Sequence, residues 1–228
     1  MATVTGLFGT ISGKVGNVVY RKRGGKTIVA LRPCKRSTPK NQNEIEREIQ
    51  FGLTGRISKG INSIEILKSF WRPVGVKSQS RYNIIFKNNY GLMRADNLSG
   101  NLKMTPGQGF EIINPGLYQG EGNLVVECKA LGNRSDFDTV VEKYVTAAGI
   151  VVMKDPVIIS TPEFVVLPFQ SKKYLFYPND YMSLNIEFTG NDLFMFGNYR
   201  IKKAFAIFIT MDEEERPVQH SITFSSGE

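Results

Sequence analysis

The chain has 228 residues, of which 41% are hydrophobic and 22% charged, and these proportions are typical of an ordered globular protein. Its net charge of +8 comes from one segment: the first 43 residues hold nine bases and no acid, and the rest has a net charge of −1. No apolar run approaches the ~18–20 residues of a membrane-spanning helix, so no such helix is expected.

Two further features bear on the cellular compartment. The N-terminal residues lack a charged region followed by an apolar one, so no secretory signal is expected. Cys34 and Cys128 are the only cysteines and lie far apart in the sequence. They predict two free thiols in a protein made in the cytoplasm, rather than a disulfide framework.

The first 33 residues predict β structure. Val18–Tyr20 and Thr27–Leu31 are rich in strand formers, and the pair Gly24-Gly25 lies between them. A glycine pair between two such runs predicts a β-hairpin, because glycine accepts the positive φ of tight turns. Further glycines recur upstream every three or four residues and predict a tightly turning backbone: Gly6, Gly9, Gly13 and Gly16.

Helical segments are predicted between residues 38 and 90. The first begins with Thr38 as N-cap and Pro39 at the first helical position. Its apolar stripe recurs at every fourth residue: Ile45, Ile49, Leu53, Ile57 and Ile61. Three glycines argue against a single straight helix: Gly52, Gly55 and Gly60. A second piece covers Asn62–Trp71, and a third covers Gln79–Tyr90.

Short β-prone runs separated by Gly, Pro and Asn follow from about residue 97. They are Leu98–Thr105, Phe110–Ile113, Leu124–Ala130, Gly149–Met153, Phe164–Phe169, Tyr174–Tyr177, Ser183–Phe188, Ala204–Met211 and Ser221–Phe224. Asp138–Ala148 is compatible with a helix or a strand. The predicted fold is therefore mixed and mainly β. A basic hairpin and short helices occupy residues 1–96, and an antiparallel β-sandwich occupies residues 97–228.

Catalytic chemistry is sparse. His220 is the only histidine, and no neighbouring motif marks a partner serine or cysteine for it. A zinc site needs four closely spaced ligands, which one histidine and two distant cysteines do not supply. The run Asp212–Glu215 lacks the alternating ligands of a calcium loop and predicts a solvated turn. The sequence therefore predicts a non-enzymatic protein without metal or cofactor.

Gly24-Gly25-Lys26-Thr27 matches only the end of a phosphate-binding loop. The motif G-x-x-x-x-G-K-[ST] requires a glycine five positions before its second glycine, and Tyr20 stands there. The segment Gly9–Val15 also fails, because one spacer residue is missing and Val15 cannot bind magnesium. A glycine-rich hairpin explains these residues better.

The basic segment supplies the candidate partner contacts: Lys14, Arg21, Lys22, Arg23, Lys26, Arg32, Lys35 and Arg36. Three interpretations stay open. The bases neutralise nucleic-acid phosphates, they bind the acids of a neighbouring subunit, or they form a solvated face. Single-strand binders interleave aromatic residues with bases, and only Phe8 and Tyr20 are available here.

Several motifs occur in a recognisable order: Gly13-Lys14-Val15-Gly16-Asn17-Val18-Val19-Tyr20, Gly25-Lys26-Thr27-Ile28-Val29, Arg32-Pro33 and Thr38-Pro39-Lys40. They resemble the N-terminal signature of an uncharacterised protein family of Bacteroidota and their phages, including crAss-like phages. Tyr82-Asn83, Asn88-Asn89 and Leu98–Leu102 are similar to the segment before that family's first sandwich strand. The family has no established activity, so the resemblance implies architecture more than function.

Together, the resemblance and the sparse chemistry predict a structural protein of a phage virion. It would be a multi-copy component of the neck or tail, as a ring, or would decorate the particle. The expected partners are other virion proteins and copies of itself, with a nucleic-acid backbone contact also open and no membrane contact. It would be made in the bacterial host cytoplasm and reside in the virion. The alternative is a binding module for nucleic acid or host surface glycans.

Overall fold

The computed structural model describes residues 12–23, 26–32, 40–71, 79–120, 122–132, 135–158 and 161–226. The chain divides into two compact units, one ending at Ile45 and the other running from Glu46 to Glu228. Among the described residues, strands hold 39% and helices 22%, in three antiparallel sheets and three helices. The predicted mixed, mainly β fold is therefore confirmed.

The first unit contains a three-stranded antiparallel sheet, here called the N-terminal sheet. Its strands are β1 (Gly13–Val15), β2 (Val18–Arg23) and β3 (Lys26–Leu31), in that spatial order. Arg23 pairs with Lys26, so the predicted hairpin of β2 and β3 is confirmed, with two residues between the strands. The connection from β1 to β2 also has two residues, and Gly16 takes a φ of +56° there.

Helix α1 spans Gln42–Ser63 and begins later than the sequence predicted. The backbone N–H of Glu44 donates to Oδ1 of Asn41 (2.9 Å), and the Asn41 N–H donates to the Glu44 carboxylate (3.2 Å). This reciprocal capping box fixes the start of the helix. The predicted N-cap, Thr38, and Pro39 lie outside the described residues.

The second part of the predicted apolar stripe of α1 forms core. Leu53, Ile57 and Ile61 are buried, whereas Ile45 is exposed. The helix is continuous despite its glycines. A Cβ built on Gly60 would lie 2.7 Å from Cγ1 of Val166. This glycine therefore lets the helix approach a neighbouring strand closely, instead of breaking the helix.

A 3₁₀ turn at Ile66–Ser69 and helix α2 (Arg81–Asn89) complete the helical layer. The predicted third helix is confirmed: Ser80 is the N-cap of α2, and its hydroxyl accepts from the Asn83 N–H. In place of the predicted second helix, only the 3₁₀ turn forms within Asn62–Trp71, because α1 itself extends to Ser63.

Among the described residues of the second unit, nine strands and a further helix follow. Its largest sheet has the order β11-β10-β6-β7, with β12 on β10 and β8 on β6, and a smaller sheet has the order β4-β5-β9. The bounds are β4 Gly116–Gln119, β5 Asn123–Cys128, β6 Tyr144–Pro156, β7 Phe164–Gln170, β8 Tyr174–Leu175, β9 Met182–Glu187, α3 Gly190–Gly197, β10 Tyr199–Met211, β11 Pro217–His220 and β12 Phe224–Ser225.

The central strands of the large sheet are buried on both faces. On β6, Val151 and Met153 belong to the core shared with the small sheet, while Ile150 and Val152 belong to the core shared with the helices. Alternate side chains of a strand point to opposite faces, so β6 lies in the middle of three layers. This explains its nearly continuous apolar sequence.

The helical layer therefore shares a core with the large sheet. The second compact unit begins at Glu46, whereas the sequence placed a domain boundary near residue 96. The difference arises because buried residues of α1 and α2, such as Leu53 and Ile85, pack in the same cluster as Ile150 of β6. The amino-acid composition changes near residue 96, but the same hydrophobic core contains residues from both sides of that position.

Some predicted strands are replaced by side-chain contacts to the backbone. Leu98–Thr105 contributes only an isolated bridge from Gly100 to Met93. The Lys103 N–H instead donates to Oδ1 of Asn89 (2.8 Å). Phe110 likewise makes one isolated bridge, to Ser221. The ambiguous Asp138–Ala148 forms a turn and then the start of β6.

Buried Asn89 supports a testable expectation. Its amide donates to the carbonyls of Ile85 and Lys103 (both 3.1 Å) and accepts from the Lys103 N–H. Asn89→Ala leaves both Lys103 backbone groups without these partners, so we expect it to lower the free energy of unfolding by about 2–4 kcal/mol. Asn88→Ala removes one exposed bond, to Ile84, and should cost less than about 0.5 kcal/mol. Urea unfolding measures both, and equal effects would contradict the assignment.

Candidate interaction surface

The N-terminal sheet carries the most distinctive surface among the described residues. Residues directly opposite each other in an antiparallel pair lie on the same face, and so do residues two apart on one strand. Val18 pairs with both Val15 and Leu31, and Tyr20 pairs with Val29. These five residues therefore lie together, and they are called the apolar face.

The opposite face of the same sheet is called the basic face. Val19 pairs with Lys14 and with Ala30, and Arg21, two residues further along β2, pairs with Ile28. Lys26 lies two residues before Ile28 on β3 and therefore shares their face. Three of the predicted contact bases, Lys14, Arg21 and Lys26, thus lie on one side of the sheet.

The remaining predicted contact residues are distributed differently. Lys22 pairs with Thr27 and lies on the same side as the apolar face, near the end of the hairpin. Arg23 ends β2 and pairs with Lys26, and Arg32 follows β3 with its backbone N–H donating to the Asn17 carbonyl (2.7 Å). Lys35 and Arg36 lie outside the described residues. Among the described bases, strand alternation therefore places Lys22 on the other side of the sheet from Lys14, Arg21 and Lys26.

The apolar face is open to solvent. Leu31 is 80% exposed and Val29 is 59% exposed. None of the described residues of the three strands is buried. A small sheet gains independent stability by covering an apolar face, and an exposed apolar face marks an interaction site. The N-terminal sheet therefore leaves an apolar face exposed to solvent.

His220, the histidine weighed in the sequence, and the adjacent Ser221 both make structural contacts. Nδ1 of His220 lies 3.2 Å from the Thr105 hydroxyl and 3.0 Å from the Ser221 carbonyl, and its ring meets the edge of Phe70. The hydroxyl of Ser221 accepts from the Phe208 N–H and donates to the Ile222 carbonyl. Both side chains therefore hold the end of β11 and its following residues in place.

Cys128 is buried and free, and burial raises the pKa of its thiol to about 12, which keeps it protonated near neutral pH. Cys34 lies outside the described residues. No group of three or more His, Cys, Asp or Glu among the described residues is placed to hold a metal ion. No described helix combines the length and the apolarity needed to cross a membrane.

No protein-family model, curated protein or solved structure matches this chain. The sequence predicted the hairpin and the charge of the N-terminal sheet, but the placement of Lys14, Arg21 and Lys26 opposite the apolar face depends on the strand register.

Proposed function

We propose that this chain is a non-enzymatic structural subunit that docks on a neighbouring protein subunit through its N-terminal sheet. The observation that carries the proposal is the exposed apolar face, formed by Val15, Val18, Tyr20, Val29 and Leu31. Burial of apolar surface is the dominant favourable term in most protein association. A polynucleotide backbone would use the bases of this sheet and leave that face in water.

The basic face adds orientation to this docking. Lys14, Arg21 and Lys26 lie opposite the apolar face and belong to a segment with nine bases and no acid. Complementary charge steers association and selects the partner, while apolar burial supplies most of the affinity. Because the two faces point in opposite directions, a neighbour fits both properties when its apolar surface covers the apolar face and its acidic groups reach around the hairpin end to Lys22 and Lys26.

The resemblance of the N-terminal motifs to a Bacteroidota and phage family supports a virion as the assembly. In this proposal the chain is a multi-copy component of the neck or tail, or a decoration of the particle. The second unit forms the body, and the N-terminal sheet makes the contact to the next subunit. Strand edges of the small N-terminal sheet offer additional backbone pairing with a neighbour.

Mass spectrometry of purified particles tests this assignment. Particles from a culture in which this chain is expressed should contain it in several copies, in constant ratio to the other structural proteins. Absence of the chain from washed particles, despite expression in the cells, would contradict the proposal. A protease that cleaves the N-terminal sheet from a particle-bound chain should release the second unit from the particle. A second unit that stays attached after this cleavage would also contradict the proposal.

A second candidate function is nucleic-acid binding through the basic face. The observation that favours it is the alignment of Lys14, Arg21 and Lys26 on one side of the sheet. Binding through these bases should weaken with salt, and the slope for duplex DNA should fall by about 0.9 for each base changed to alanine. No binding to duplex or single-stranded DNA at low salt would eliminate this candidate and leave the first.

A further inference from the structure

A second surface of the molecule is rich in acids. Three segments, residues 135–143, 172–181 and 212–219, are here called the acidic end. They meet where β6 begins and β10 ends: the Lys143 N–H donates to the Met211 carbonyl (2.8 Å), and Tyr144 pairs with both Met211 and Leu175. Gln219 of β11 joins the first segment, because its amide donates to Glu142 (3.1 Å).

The acidic end carries eight acids against four bases, a net charge of −4: Asp136, Asp138, Glu142, Asp180, Asp212, Glu213, Glu214 and Glu215, with Lys143, Lys172, Lys173 and Arg216. Two of the four bases are held by acids of the same surface. Arg216 binds Asp212 (2.7 Å) and Glu214 (2.8 Å), and Lys173 binds Glu215.

Much of the acidic charge stays available to a partner. Asp136, Asp180 and Glu213 are exposed and make no ion pair with any described residue. Desolvation works to raise the pKa of Asp212, but its hydrogen bonds with Arg216 outweigh that and hold the pKa below its usual value. The Asp212 carboxylate is therefore ionised at neutral pH, and the exposed carboxyl groups of Asp136, Asp180 and Glu213 face the solvent.

The acidic end also exposes apolar side chains. Val140 is 77% exposed, Leu175 is 61% exposed and Tyr177 is 56% exposed. A cleft of about 530 Å³ opens beside them and is lined by Leu175, Phe176, Tyr177 and Pro178, together with polar groups such as Asp180. Exposed apolar groups around a cleft with acidic groups on its wall are typical of a site for an apolar and cationic partner.

We propose that the acidic end of one copy receives the N-terminal sheet of another copy of this chain. This inference rests on the proposed docking function and names its partner. The N-terminal sheet offers an exposed apolar face and a set of bases without an acid, and the acidic end offers exposed apolar side chains and unpaired carboxylates. Both halves of a complementary contact are thus present in one sequence.

The contact joins two different surfaces of the chain, so it is heterologous. Each copy keeps a free acidic end after its own N-terminal sheet has docked, and the next copy can add to it. Heterologous contacts of this kind close into rings when the rotation between neighbours permits it, and otherwise form open filaments. A multi-copy ring, as expected from the sequence, follows from this contact when it closes.

Charge reversal on full-length chains tests the inference. Arg21→Glu/Lys26→Glu reverses the basic face, and Asp180→Lys/Glu213→Lys reverses the acidic end. Both pairs are exposed, and no internal side-chain bond of these residues is broken. Sedimentation velocity at low salt should show concentration-dependent association of the unchanged chain. Each double variant should weaken it by at least about tenfold, and the quadruple variant should recover most of the loss.

Matched controls separate a specific contact from a change in net charge. Glu163→Lys/Glu187→Lys changes the net charge as much as the acidic-end variant but at exposed positions outside it. Its association should stay within about twofold of the unchanged chain. An acidic-end variant that loses no more than this control would overturn the inference, as would a quadruple variant that does not recover.

The outcome also distinguishes this inference from the proposed function. An unchanged chain that stays monomeric at every concentration in low salt overturns self-docking. The mass spectrometry of purified particles then tests whether the chain docks on a different protein. Association that is lost on reversal of the basic face but insensitive to the acidic end keeps the docking function and rejects the acidic end as its receptor.

Discussion

Val29→Thr/Leu31→Thr should weaken docking of the N-terminal sheet on its partner by about 100-fold or more. The two side chains are 59% and 80% exposed in the free chain and belong to the apolar face. Burying each of them in a contact contributes about 1.5–3 kcal/mol, and threonine loses most of that while burying a hydroxyl. Threonine keeps the high strand propensity of the original residues, so the sheet itself should persist.

This double substitution should not change the stability of the second unit. Because both side chains are exposed before docking, their replacement should leave the urea midpoint of the second unit unchanged. A suitable control is Val157→Thr/Phe194→Thr, which alters two exposed apolar side chains of the second unit, outside the acidic end. Docking affinity, measured by sedimentation or in particles, should fall only for the first variant. Equal losses in both variants would show that the apolar face has no special role.

Gly149→Ala should be the most destabilising single methyl addition in the sheet. Gly149 lies at the centre of β6, and a Cβ built there would overlap the carbonyl oxygen of Phe205 on β10 and the ring of Phe169 on β7. A backbone oxygen cannot rotate away as a side chain can, so the two neighbouring strands must shift. We expect a loss of about 3 kcal/mol or more in the free energy of unfolding.

Gly52→Ala is the control for Gly149→Ala. Gly52 lies in α1, and a Cβ built there would meet nothing within 4 Å. Alanine is the better helix former, so this change should stabilise the chain by about 0.5–1 kcal/mol. Urea unfolding at one pH compares both variants. A Gly149→Ala chain as stable as the unchanged protein would contradict the close packing of β6 between its neighbours.

Local signals in the sequence predicted local structure. The Gly24-Gly25 pair between two β-prone runs predicted the hairpin, and its strands pair as expected. The third predicted helix, Gln79–Tyr90, corresponds to α2, which spans Arg81–Asn89. The start of α1 was missed because Asn41 and Glu44 form a better capping box than the Thr38-Pro39 pair that the sequence favoured.

These local signals did not predict the long-range features of the fold. The three-layer arrangement follows from burial of both faces of β6 and β10, which an apolar run alone does not distinguish from an isolated sandwich strand. Asn89 replaces a predicted strand pairing with side-chain hydrogen bonds to Lys103, fourteen residues away. α3 was missed although Thr189 and Asp192 form a capping box, because Gly190 and Gly197 at its two ends weakened the helical signal.

The candidate surface was predicted in charge but not in geometry. Nine bases without an acid were visible in the sequence, yet only the strand register places Lys14, Arg21 and Lys26 opposite an apolar face. The acidic end was missed because its acids come from three distant segments of the chain, which only the folded sheet brings together.

Photo-cross-linking from position 31 tests the central claim most directly. A photoreactive amino acid replaces exposed Leu31 in the full chain, and assembled material is illuminated and mapped by mass spectrometry. Docking of the N-terminal sheet on a protein subunit should give intermolecular cross-links, and self-docking should direct them to residues 135–143, 172–181 or 212–219 of another copy. Cross-links only to nucleic acid, or no intermolecular cross-link in assembled material, would contradict the claim that this sheet docks on a neighbouring subunit.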